Sequence, residues 1–222
     1  MEQENRWREA CEAMIREQVA ERGIREPRLL DVIRRIPRHW FVPPELRDQA
    51  YIDGPLPIGL GQTISQPYMV AAMTHLLRLR GHEVVLEVGT GSGYQAAILA
   101  QMAATVHTIE RHPQLAEQAR QLLVQLGFAN VFVHEGDGSL GWPPGAPYDG
   151  ILVTAASPLP PTPLLDQLAE GGVLVIPVGG REGQDLQRWV KTNGQVQRES
   201  LFPVAFVPLR GQLGWKPDEW EE

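Results

Sequence analysis

The sequence predicts an α/β fold: a doubly wound, mostly parallel sheet that finishes with an antiparallel C-terminal strand, preceded by an N-terminal helical addition. Three observations predict it. Runs dense in Val, Ile and Leu alternate with helix-like segments between residues 83 and 179, as expected of strands covered on both faces. Two later strand-like runs flank Asn193-Gly194, a pair that signals a hairpin. Upstream, apolar residues at helical spacing give way to a proline-rich stretch.

The elements follow in chain order. Trp7, Cys11, Met14, Ile15 and Val19 recur every three or four positions, as on one helix face. A second helix is predicted over 28–36, where Pro37 stops it. Pro37, Pro43, Pro44, Pro55 and Pro57 make the next segment extended or turning. Pro67 suits the first turn of a helix reaching about Arg80. Strands are predicted at 83–88, 105–110, 130–135, 148–155 and 172–179, with helices at 92–103, 113–126 and 162–169 between them. The hairpin runs are 185–192 and 198–209. Residues 1–80 then form the helical and loop addition that completes the active site, and 81–184 the α/β core. Residues 185–222 are antiparallel strands and a tail of the same domain. That tail carries Trp215 and Trp220 among four acids and is assigned no role.

Composition narrows the function. The 222 residues are 43% apolar, enough for one substantial core. With 20 basic and 27 acidic residues the net charge is −7, a surface that repels phosphate backbones, so no nucleic acid partner is expected. Cys11 is the only cysteine, which rules out an internal disulfide and fits a reducing cytoplasm. The polar start MEQENRWREA is unlike a signal peptide, and no apolar run approaches the roughly 20 residues that span a bilayer. A cytoplasmic monomer without membrane contact is expected.

The chemistry concentrates at one sheet edge. VLEVGTGSGYQAA puts Gly89, Gly91 and Gly93 between the first core strand and its helix, where a bare backbone and free N–H groups can approach a ligand. Taken alone, the loop is also open to reading as a glycine-rich turn without a ligand. Glu110 ends the second strand roughly 20 residues on, where a ribose diol is bound. Asp137-Gly138 adds a polar turn after the third strand. Together these point to a nucleoside. The Gly-x-Gly-x-Gly spacing and Tyr94 depart from the dinucleotide fingerprint, and Glu87, read as part of the loop's first turn, would repel a pyrophosphate but suit an ammonium. The combination resembles S-adenosylmethionine-dependent methyltransferases, with an NAD-linked oxidoreductase as the alternative from the loop alone.

Other chemistries lack support. The six histidines show no His-Glu-x-x-His spacing and read as surface or strand-end residues, so no metal is expected. No serine sits in a Gly-x-Ser-x-Gly elbow. VTAASPLPPTP stands where base-directed amino methyltransferases carry a Pro-Pro-Tyr-like segment.

The stretch PRHWFVPPELRDQAYIDGPLPIGLGQTISQPYMVA, followed by VLEVGTGSGYQAAILA, closely resembles the protein-L-isoaspartate O-methyltransferase family. The resemblance runs from about residue 14 to 211, and GQTIS-x-P is its most specific element. It implies a Rossmann-like methyltransferase fold, S-adenosyl-L-methionine as cofactor, and isoaspartyl proteins or peptides as substrates for repair. It also implies that Thr63, Ile64 and Ser65 line the methyl-transfer position, with Ser65 as catalytic residue. Glu87, Gly89, Thr90, Gly91 and Gly93 carry over as the cofactor loop, Glu110 and Arg111 as the ribose side, and Asp137 and Gly138 as the adenine-side turn. Pro67 at the first helical position makes Gln66 the cap, one residue after Ser65. Tyr68, Val70 and Arg210 depart from what many members carry there; Arg210 reads as solvated. A methyltransferase for a small carboxylate and a non-catalytic binder of altered proteins remain as alternatives.

Overall fold

The computed structural model describes residues 2–221. Met1 and Glu222, the outer bounds of the first and last predicted segments, lie outside the described residues. Helix α1 (Glu2–Ala13) runs on into a wider turn of π-helix over Met14–Ala20, whose bonds include Glu21 N–H to Arg16 O and Ile24 N–H to Val19 O. The widening brings Met14, Ile15 and Val19 together into the core. Trp7 stacks on His39 with centroids 3.9 Å apart, and its indole N–H donates to Asp48. Helix α2 (Pro27–Arg35) ends ahead of Pro37 as predicted, and two 3-10 turns, Arg38–Phe41 and Pro44–Gln49, occupy the proline segment.

A short hairpin that the sequence reading passed over comes next. Strands β1 (Leu56–Gly59) and β2 (Gln62–Ile64) pair antiparallel, with buried Leu56 opposite buried Ile64. Each strand is too short, and the first too rich in proline, to show a period of two. Helix α3 (Pro67–Leu77) follows and ends where Arg78 turns left-handed, at φ +57°.

The sheet has seven strands: β3 (Val84–Val88), β4 (Thr105–Glu110), β5 (Val131–Glu135), β6 (Tyr148–Val153), β7 (Leu168–Gly180), β8 (Gly183–Thr192) and β9 (Gln195–Val204). Their spatial order is β5-β4-β3-β6-β7-β8-β9. Helices α4 (Tyr94–Met102) and α5 (Pro113–Gln125) make the first two crossovers. Pairing is parallel from β5 through β7 and antiparallel for β8 and β9, so the sheet finishes as the sequence predicts. Winding proceeds outward from β3 to β5, then returns to β6 on the other side of β3. That reversal opens a crevice between the carboxyl ends of β3 and β6, where open α/β sheets bind ligands.

Two boundaries need correction. Helix α6 (Thr162–Asp166) stops short of residue 169 because Leu168 already pairs with Tyr148, which lengthens β7. Strand β9 ends at Val204, leaving 205–207 as irregular chain before Pro208 makes a single parallel bridge to Ala156. The histidine reading also changes: His39 is buried and bonded to the Tyr51 hydroxyl at 2.7 Å, while His107 stacks on His134 within the sheet. An imidazole with one polar partner packs as a flat apolar ring, which spacing in a sequence does not reveal. Among the described residues no helix is long and apolar enough to cross a membrane.

Candidate active site

The register of the central strands levels their ends. Val88 lies beside Ile109 and Val153, and Ile109 beside His134, so the loops after β3, β4, β5 and β6 leave from one edge. The glycine loop begins at Gly89, whose φ of +98° disfavours any side chain, and a Cβ there would run into Thr154 Oγ1. Thr154 ties the loop to β6 by donating to Gly89 O at 2.8 Å. Gly93, at φ +84°, closes the turn ahead of α4.

Glu110 stands at the end of β4 with its carboxylate turned back on the loop. Its Oε2 accepts the Gly91 N–H at 2.9 Å and its Oε1 the His112 N–H at 3.0 Å. Each oxygen keeps a second lone pair for a further donor. Arg111 is exposed beside it. Of the pair after β5, Gly138 faces the crevice, packed so closely on Val88 that a Cβ could not fit. The Asp137 carboxylate is taken up by Ser139 and by the Gln212 N–H.

Glu87 is not in the loop's turn. It is the penultimate residue of β3 and fully buried. Thr108 donates to its Oε2 at 2.6 Å, and Thr90 joins Thr108 at 2.7 Å, while Oε1 has no hydrogen-bond partner among the described residues. Burial pushes the Glu87 carboxyl up to about 8, against the Thr108 bond and with a smaller push from Glu110. A buried acid with one oxygen unused is a site prepared for a cation or a donor.

The β1–β2 hairpin covers this edge and divides the space. A cavity of about 30 Å³ touches Thr63, Ile64, Ser65, Gly89, Thr90 and Thr154. Another of about 50 Å³ touches Gln62, Val88, Glu110, Arg111, Gly138 and Arg210. On the outer side a much larger cleft, about 930 Å³, runs between the hairpin and residues 203–208. Thr63, Ser65 and Thr154 line both this cleft and the first cavity, so they stand at the partition between them. The Ser65 hydroxyl has no hydrogen bond to another described residue. Gln66 is indeed the residue before α3, but its side chain donates to Asp53 rather than capping the helix.

Sequence reasoning missed Arg38. This guanidinium is wholly buried, donates to Ala50 O and to Ser65 O, both at 2.7 Å, and lies 5.1 Å over the Tyr94 ring. Burial lowers its pKa to about 10, which leaves it charged at neutral pH. It joins the hairpin's last turn to the first residue of α4. A lone arginine after a proline carries no sequence signal for that role. Arg210, read as solvated, instead donates to the carbonyls of Trp215 and Lys216.

The family model described as Protein-L-isoaspartate(D-aspartate) O-methyltransferase matches residues 9–214. The chain is 56% identical over 205 residues to the Protein-L-isoaspartate O-methyltransferase of Methanoculleus marisnigri, covering 92% of this chain and 93% of the relative. It is 52% identical over 210 residues to Protein-L-isoaspartate O-methyltransferase 1 of Syntrophobacter fumaroxidans, covering 95% and 98%. Among solved structures, one from Plasmodium falciparum, described as a complex with S-adenosyl-L-homocysteine, superposes with a TM-score of 0.79 at 26% identity. It covers 90% of this chain and 98% of that one. A second, named protein-L-isoaspartate O-methyltransferase, gives 0.80 at 27% identity; it covers 88% of this chain, which spans 64% of that chain's length.

Proposed function

The chain belongs to the protein-L-isoaspartate O-methyltransferase family, and from that premise we propose how its own residues carry the activity. The activity is protein repair: a methyl group passes to the free α-carboxylate of an L-isoaspartyl residue, and the resulting ester cyclises to a succinimide as the following backbone nitrogen displaces methanol. S-adenosylmethionine, when bound, supplies the electrophilic methyl group.

The residues present fit that cofactor. The Gly89–Gly93 backbone forms a cradle that side chains would fill. The Glu110 carboxylate keeps acceptor capacity for a ribose diol. Glu87 offers its unpaired buried oxygen to an ammonium group, while its other oxygen is held by Thr108, which Thr90 joins. Thr63, Ile64 and Ser65 close the cavity from the hairpin side, and Arg111 and Gly138 flank the nucleoside end.

An isoaspartyl carboxylate, with a pKa of about 3.9, is ionised at neutral pH, so the site needs no strong base. Ser65 orients that carboxylate by donating its hydroxyl, and Arg38 holds the Ser65 main chain in place from behind. The hairpin keeps water from the meeting point, where an anion and a cationic centre neutralise each other. The observation that carries this reading is the double exposure of Thr63, Ser65 and Thr154, to the inner cavity and to the open cleft. Such a partition lets a peptide and a buried methyl donor meet without sharing a pocket.

A labelled-methyl assay with an isoaspartyl peptide and its aspartyl twin tests the reading. Base-labile label on the isoaspartyl peptide alone is expected. Label on neither peptide would favour a binding protein, and label only on small carboxylates would favour the alternative substrate class. We also propose a cytoplasmic monomer that binds no nucleic acid and no membrane. The lone cysteine and the net charge of −7 support the first and third of these. Sedimentation as a dimer, or retention on DNA, would contradict them.

A further inference from the structure

The C-terminal tail returns to the cleft. After Leu209 the chain is pinned in sequence: Gln212 N–H donates to Asp137 at 2.6 Å and Trp215 N–H to Leu209 O at 2.8 Å. The Trp215 ring rests on Gly180, and Arg210 clamps the carbonyls of Trp215 and Lys216. Lys216 N–H then donates to Glu219 at the start of helix α7 (Pro217–Glu221). This anchoring sets Trp220 edge-on against Trp215, centroids 5.6 Å apart at 64°, and places it in the wall of the cleft that holds Ser65.

Apolar residues make up much of that cleft's lining, Met69, Pro203, Phe206 and Val207 among them, alongside the polar Thr63, Ser65, Gln66 and Thr154. Among the described residues Asp53 is the only charged side chain that lines the cleft, and Arg22 and Gln66 already engage it. A charged substrate side chain would lose water there without meeting a free opposite charge among the described residues, whereas an apolar one would be removed from water. We propose that Trp220 forms the outer wall of a subsite for a bulky apolar side chain next to the isoaspartyl residue, making it a specificity-determining residue. This inference rests on the isoaspartyl reading above and adds a sequence preference to it.

The test is a series of isoaspartyl peptides carrying Phe, Leu, Gly or Glu on either side of the isoaspartyl residue, assayed with the full chain and with Trp220→Ala and Trp220→Phe. Half-burying a large apolar side chain is worth about tenfold, so on one side Phe and Leu should exceed Gly in kcat/KM by about that factor. Trp220→Ala should raise KM for the Phe and Leu peptides about tenfold and move the Gly peptide less than about threefold, while Trp220→Phe should keep most of the preference. A parallel thermal melt checks that the tail change leaves the domain folded. A preference that survives in Trp220→Ala, or that is absent from the parent chain, would overturn the subsite alone. Failure to methylate any isoaspartyl peptide would overturn the isoaspartyl reading and this inference with it.

Discussion

Replacing Glu87 by Gln should change how stability depends on pH. Glu87 is fully buried, one oxygen is bonded by Thr108, and its carboxyl is pushed up to about 8 from an ordinary 4.5. Because the folded value lies above the unfolded one, the folded chain binds the extra proton. The stability is therefore present in full below pH 4.5 and is lost progressively as pH rises through about 8. At about 1.4 kcal/mol per unit, the parent chain should lose about 3 kcal/mol between about pH 6 and about pH 9 from this group alone. The Gln variant has no proton to lose and should miss that slope, at a small constant cost for its buried amide. Urea unfolding of both chains across that range, without cofactor, measures the difference. Parallel pH profiles would refute the reasoning, since they would mean that Glu87 is solvated or already ionised.

Three further outcomes are expected. Ser65→Ala should lower kcat about 10- to 100-fold, the worth of a hydrogen bond to a charged group, with the dissociation constant for S-adenosylhomocysteine unchanged by calorimetry; full activity would reduce Ser65 to a structural residue. Glu110→Ala removes the acceptor for Gly91 and His112, so cofactor affinity should fall by about tenfold or more, and an unchanged constant would count against the ribose assignment. Arg38→Met leaves the carbonyls of Ala50 and Ser65 buried without their donor. A stability loss of about 2–4 kcal/mol in urea is expected, together with a lower kcat; parent-like unfolding would show that those carbonyls find other partners.

Much of the architecture was legible from local pattern. Strands β3 to β6 are Val- and Ile-rich runs bounded by glycine, proline and short polar turns, and the loop at Gly89 announces its own backbone need. Asn193-Gly194 marked the closing hairpin for the same reason: few residues tolerate that turn. The β1–β2 hairpin was not legible. Its strands are held by one buried pair, Leu56 with Ile64, and by packing over the glycine loop, where Ile58 meets Gly91. Helix α6 was overestimated because a strand pairing, Leu168 with Tyr148, outweighs the helical preference of those residues.

The site divides along the same line. Residue types at the sheet edge, Glu87, Gly89, Glu110 and Gly138, follow from strand order and loop position, both encoded within a few residues of each group. Their working relations do not. That Glu87 meets Thr108 and keeps an idle oxygen, that Arg38 reaches Ser65 across 27 positions, and that Trp220 returns to the Ser65 cleft depend on long-range contacts. Such contacts arise when separate segments close on one another and bury charge or apolar surface. A linear pattern records what each segment favours by itself, and only the closed chain shows which segments meet.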